Sequence, residues 1–220
     1  MARIEFQSRL DTLEASLQEQ GQVVLRAVRG AMDALQRSDV ELCDEVIRFD
    51  DEIDVRYHRI EKAVEEVLAQ QSPVATDLRL VLAILHDSIH LERVGDQSVT
   101  IAKLTKLSHG LEPHHGLAEG LQEMGDRAEE MVRIALDSFA ARDVERARSL
   151  VDLDELIDRT NRRVIDQVLA ATSAEHQEWG MRMIVVARCI ERIGDNAVDI
   201  GEQTAFVVTG DFHEFSDASD

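Results

Sequence analysis

One phrase is written twice in this chain, as Leu91-Glu92-Arg93-Val94-Gly95-Asp96 and, 99 positions later, as Ile190-Glu191-Arg192-Ile193-Gly194-Asp195. Each copy places two carboxylates at i and i+4, one above the other on a helix face. A second acidic pattern is doubled as well: Asp50-Asp51-Glu52-Ile53-Asp54 and, 104 positions later, Asp154-Glu155-Leu156-Ile157-Asp158. A chain that repeats its acids together with its apolar periodicity is built from two copies of one helical unit.

The punctuation between these stretches is sparse. The only two prolines, Pro73 and Pro113, fall where the helical pattern is already interrupted, and both mark turns. Ser38-Asp39-Val40-Glu41 and Thr172-Ser173-Ala174-Glu175 read as capping boxes. The breaks leave six helical stretches, roughly 3–36, 39–70, 75–109, 116–141, 143–171 and 174–209. No strand alternation competes with them, and short connections favour antiparallel neighbours. The expected fold is therefore all-α, with two pseudo-symmetric antiparallel three-helix bundles over residues 1–110 and 111–209. A short, acidic, frayed tail is expected over 210–220. Because the two repeat offsets differ by five residues, the first half carries an insertion, which this reading places at Gln70–Asp77.

In an antiparallel helical hairpin, residues equidistant from the turn face each other. Asp54 with Glu92, and Asp50 with Asp96, share a midpoint at position 73, which is the turn proline. Asp158 with Glu191, and Asp154 with Asp195, share one inside the second turn. Each half should thus gather four acids at one height, about 28 Å from its turn. Every one of the eight acids directly follows an apolar residue or a glycine, which puts it at the rim of the buried stripe. Gly95 and Gly194 cost about 1 kcal/mol each relative to alanine, so their presence in both copies points to close helix approach.

Two like charges about 5 Å apart repel by about 3 kcal/mol at an effective dielectric of 20. Four converging acids need positive charge or bound protons. Arg48, Arg93, Arg162, Arg188 and Arg192 could supply it as a salt-bridge network, which is the reading of a metal-independent helical scaffold. Two matching clusters favour a cation site instead. An all-oxygen donor set suits magnesium, calcium, manganese or oxidised iron, whereas zinc prefers histidine and cysteine. A carboxylate-bridged di-iron enzyme would need Glu-x-x-His on bundle helices, and the one such spacing, Glu112 to His115, contains Pro113.

Charge and the remaining residues narrow the function. With 24 basic residues against 44 acidic ones, a formal net of −20, a nucleic-acid backbone would be repelled. Cys43 and Cys189 are isolated and read as small buried hydrophobes in a reducing compartment. His58, His86 and His90 read as ordinary surface or half-buried residues, and His109, His114 and His115 as part of a polar linker. No phosphate-binding glycine loop, nucleophile elbow or Ser/His/Asp set is present, so nothing asks for catalysis. The N-terminus leads straight into an amphipathic pattern and the longest apolar run is far too short to span a bilayer, which predicts a soluble, cytoplasmic protein. Leftover apolar stripes on long bundles favour a homodimer.

These residues carry a resemblance. The chain resembles the PhoU family over nearly its whole length, through Asp50-x-x-Ile53-Asp54, Gln71-Ser72-Pro73-Val74-Ala75-x-Asp77-Leu78-Arg79 and the two Glu-Arg-(Val/Ile)-Gly-Asp copies. The second copy continues as Asn196-Ala197-Val198-Asp199-Ile200. The resemblance implies two three-helix bundles whose Glu/Asp-x-x-x-Asp motifs bind metal: Asp50, Asp54, Glu92 and Asp96, then Asp154, Asp158, Glu191 and Asp195. Iron, zinc or other divalent ions are the cofactors it implies. The partners it implies are the phosphate-sensing histidine kinase and the phosphate ABC transporter, in negative regulation of phosphate-starvation signalling. Where the family often has histidine after the motif aspartate, this chain has Gln97 and Asn196, and Asp199 is matched by Thr100 in the first half. The two sites are accordingly expected to differ, the first being poorer in oxygen ligands.

Overall fold

Apolar residues at three- and four-residue spacing set the architecture. In the second helix Cys43, Val46, Ile53, Ile60, Val64 and Val67 form a single buried stripe. In the third the buried arc is wider and includes Val81, Ile84, Leu91, Val94, Ser98 and Ile101, because that helix has neighbours on several sides. The structure, a computed structural model, describes residues 2–170 and 174–215. Among these, the elements are α1 (Ala2–Arg37), α2 (Val40–Gln71), α3 (Thr76–Leu107), α4 (His115–Ala141), α5 (Val144–Arg148), α6 (Leu150–Ala170) and α7 (Ala174–Thr209), with no strand.

The fold is all-α, as expected, with α1, α2 and α3 packed as one three-helix bundle and α4, α6 and α7 as the other. The halves join through α3 against α7 and α1 against α4, so one apolar core runs through both. Cys43 and Cys189 are buried in it, and burial raises both thiols, that of Cys189 to about 11.

Three details depart from the sequence reading. The fifth stretch is broken at Ser149, whose Oγ donates to the Arg146 carbonyl, leaving the one-turn α5 ahead of α6. The cap of α2 is Asp39, which accepts from the Leu42 N–H at 3.0 Å; Ser38 instead takes the left-handed conformation that ends α1. The turn of the first half spans Ser72–Ala75, within the stretch expected to hold the insertion, and its second-half counterpart at 171–173 lies outside the described residues. Residues 211–215 of the tail fold back, the Phe215 N–H donating to Glu202 at 2.6 Å. The capping box predicted at Thr172-Ser173-Ala174-Glu175 and the tail beyond 215 lie outside the described residues.

One buried polar group stands apart from the core chemistry. Gln20 and Ser88 bond reciprocally across α1 and α3, at 3.0 and 2.7 Å. Beside Ser88, Asp87 is fully buried, and among the described residues neither of its carboxylate oxygens has a hydrogen-bond partner. Burial pushes the Asp87 carboxyl well above the usual carboxylate range, and Arg142 offsets this only in part.

Candidate metal centres

The turn at Ser72–Ala75 folds α3 back along α2, and the predicted register follows. Ile53 of α2 lies against Gly95 of α3: a Cβ built on that glycine would stand 2.6 Å from the Ile53 Cδ1. In the second half, a Cβ on Gly194 would stand 2.8 Å from an Asp154 carboxylate oxygen and 3.4 Å from the Ile157 Cδ1. Both glycines therefore sit where their helix meets its partner most closely, and an isoleucine just before the second acid fills each contact.

This approach brings the first-half acids into one field. Loss of hydration raises Glu92, and the charges of Asp96, Asp54 and Asp50 push it further, against a smaller opposing pull from Arg93. Asp96 is raised by the same desolvation and by Asp50 and Asp54, with Lys103 opposing. All four predicted residues are thus electrostatic neighbours. Asp54 and Asp96 reach solvent, while Asp50 and Glu92 are half-buried.

The second half is built from the same parts but is tied differently. Desolvation raises Asp195 to about 6, reinforced by Glu191, Asp158 and Asp199. Arg188 opposes this and forms an ion pair with Glu191. Glu191 also accepts from the Asn161 side chain at 3.0 Å. Asp154 joins through its contact with Gly194, and Asp158 through the field it exerts on Asp195 and Arg188. Asp199 adds an acid where the first half has Thr100, whose hydroxyl donates to the Asp96 carbonyl.

The structure adds residues that no single repeat suggests. His90 on α3 reaches across the junction between halves, its Nδ1 lying 2.9 Å from the Asn196 Oδ1 and 3.2 Å from an Asp199 oxygen. Arg188, one of several candidate neutralisers, pairs directly with the motif acid Glu191. The donor types and their charge excess suit a hard cation. As the side chains stand, no three His, Cys, Asp or Glu groups among the described residues converge at metal-ligand range.

Comparison with known proteins adds a lineage to this geometry. The PhoU domain family matches residues 17–105 and 121–204. The chain is 30% identical over 213 residues to a phosphate-specific transport system accessory protein PhoU homologue of Clostridium acetobutylicum, covering 96% of this chain and 97% of that one. It is 30% identical over 209 residues to a similarly named protein of Pseudomonas aeruginosa, covering 94% and 86%. Among solved structures, PhoU from Pseudomonas aeruginosa superposes with a TM-score of 0.87 at 29% identity, covering 94% of this chain and 100% of that one. A phosphate transport system regulatory protein PhoU from Streptococcus pneumoniae gives 0.84 at 28% identity, covering 94% and 99%.

Proposed function

The chain belongs to the PhoU family, and on that premise we propose that it is a non-enzymatic, cytoplasmic accessory regulator of phosphate transport. In this reading it acts as a metal-binding helical adaptor between the phosphate ABC transporter and the sensor histidine kinase, as a homodimer. It damps phosphate-starvation signalling and so serves phosphate homeostasis. Among the described residues, no helix is long and apolar enough to cross a membrane. The relatives' printed names, accessory and regulatory proteins of phosphate transport, support the reading at the level of the process.

One observation carries the metal-binding part: two clusters of mutually repelling carboxylates recur on facing helices, and the first has too little positive charge beside it. Asp50, Asp54, Glu92 and Asp96 would hold one ion or cluster, and Asp154, Asp158, Glu191 and Asp195 another. A hard divalent or ferric ion supplies the charge that the folded chain lacks. The helices fix the carboxylate heights through the Gly95–Ile53 and Gly194–Ile157 contacts, so closing a ligand shell takes rotation of Asp and Glu side chains. At the second cluster the ligating arrangement requires Glu191 to release Arg188.

The experiment is elemental analysis and calorimetric titration of the whole chain and of Glu191→Ala with Asp195→Ala. The double substitution is expected to lower bound metal by about half while leaving the helical content unchanged. Identical metal content in the two proteins would refute the assignment. A metal-independent scaffold draws support from the Arg188–Glu191 pair, and it predicts no shift in melting temperature when a chelator is added.

A further inference from the structure

At the junction of the two halves, lined by none of the eight motif acids, the helices leave a cavity of about 490 Å³. It lies between the last turns of α1 and α3, the start of α4 and the single tryptophan of the chain, Trp179 on α7. Leu35, Leu121 and Trp179 give it apolar walls, and the volume falls in the range of sites that enclose small organic molecules. Thr105, 4% exposed, also lines it, and its hydroxyl has no hydrogen-bond partner among the described residues. A threonine on a helix normally satisfies that hydroxyl on its own backbone, as Thr100 does one turn earlier.

The remaining chemistry is acidic. Glu119, Glu123 and Asp126 line the cavity from α4, with no Lys or Arg among the lining residues. Glu123 is held by Arg127 at 2.8 Å and Arg163 at 3.5 Å, and Asp126 accepts from Gln122 at 2.8 Å. Glu119 has no ion pair among the described residues. The three carboxylates stand at i, i+4 and i+7 on one helix and spread over about 10 Å of rise. Strung along a line, they cannot converge on one metal ion. They match a cation with charges spaced along an apolar stem.

We infer that this junction cavity binds an elongated organic polycation of the polyamine class, with its alkyl segments on Leu35, Leu121 and Trp179 and an ammonium group donating to the Thr105 hydroxyl. The site is separate from the two carboxylate clusters and does not rest on their binding metal. It touches α1, α3, α4 and α7 together, so an occupant stiffens the joint between halves.

Trp179 makes the test direct, because all tryptophan fluorescence comes from the cavity wall. The whole chain, freed of metal by chelation, is titrated with spermidine at physiological salt. A saturable change in emission is expected. Glu119→Gln with Asp126→Asn should weaken it by about tenfold or more, and Thr105→Val by a few-fold. Ala118→Leu, which reduces the cavity without altering charge, should abolish it while circular dichroism stays unchanged. Glu145→Gln, a remote and exposed charge, should leave it intact. The inference is overturned if Glu145→Gln weakens binding as much as the cavity variants, which would mean attraction to net charge alone. It is also overturned if manganese gives the same saturable signal with the same variant dependence, or if a trilysine peptide saturates the signal and spermidine does not.

Discussion

Moving the metal-free protein from pH 7 to pH 5 is expected to stabilise its fold, the reverse of the usual behaviour of a protein held by carboxylate ion pairs. Asp195 titrates ordinarily at 3.8 and is raised to about 6 in the fold. The folded chain therefore binds this proton more tightly than the unfolded chain. The stabilising contribution is fully present below about 3.8 and is lost as the pH rises through about 6. A shift of this size corresponds to at most about 3 kcal/mol, and because Asp195 reaches solvent, screening reduces it to about 1 kcal/mol. Glu92, Asp96 and Glu202 are raised in the same direction, so they add to the effect. Glu129 and Glu155, lowered by their arginine partners, oppose it only at pH values below the ordinary glutamate range, outside this window. About 1 kcal/mol moves the melting temperature of a chain of this length by about 2–4 °C. Scanning calorimetry with chelator at pH 5 and pH 7 reads the difference directly. Repeating it with manganese should flatten the slope, because the cation takes over the role of the protons. A chelated protein as stable at pH 7 as at pH 5, or more stable, would refute the reasoning.

Three further outcomes follow from particular contacts. Gly95→Val should destabilise the chain by about 1–3 kcal/mol in urea melts, because its added carbons meet Ile53 at the point where α2 and α3 touch. Asp87→Leu should stabilise it by about 1–3 kcal/mol at pH 7, since it removes a buried carboxyl with no hydrogen-bond partner. An unchanged urea midpoint would contradict that. Arg188→Gln should tighten divalent cation binding at the second cluster several-fold by calorimetry, because Glu191 loses its resident counter-charge; weaker binding would mean that Arg188 supports the site.

The helices were legible because the sequence punctuates them locally. Pro73, Pro113 and the polar turn residues stop helices that Leu, Val, Ile and Ala otherwise continue, and the observed ends fall within a few residues of the expected ones. The pairing of Asp50, Asp54, Glu92 and Asp96 was legible for a similar reason: a hairpin register follows from counting once the turn is known. The Ser149 break escaped because Ala147 and Leu150 are both buried and keep the apolar period going across it. His90 and Asp87 could not be read from one repeat. Their surroundings depend on how α3 of the first half packs against the second half, and no periodicity within a helix encodes that contact. Arg188 escaped for a related reason, since several arginines lay near the motif and only side-chain geometry selects among them.

Anomalous diffraction from crystals soaked in manganese would locate any cation held by the two carboxylate clusters. Anomalous peaks are expected between α2 and α3 at Asp50, Asp54, Glu92 and Asp96, and between α6 and α7 at Asp154, Asp158, Glu191 and Asp195, with Arg188 turned away from Glu191. Peaks confined to other surface acids, or carboxylates that hold only water while Arg188 keeps its pairing, would contradict the metal assignment.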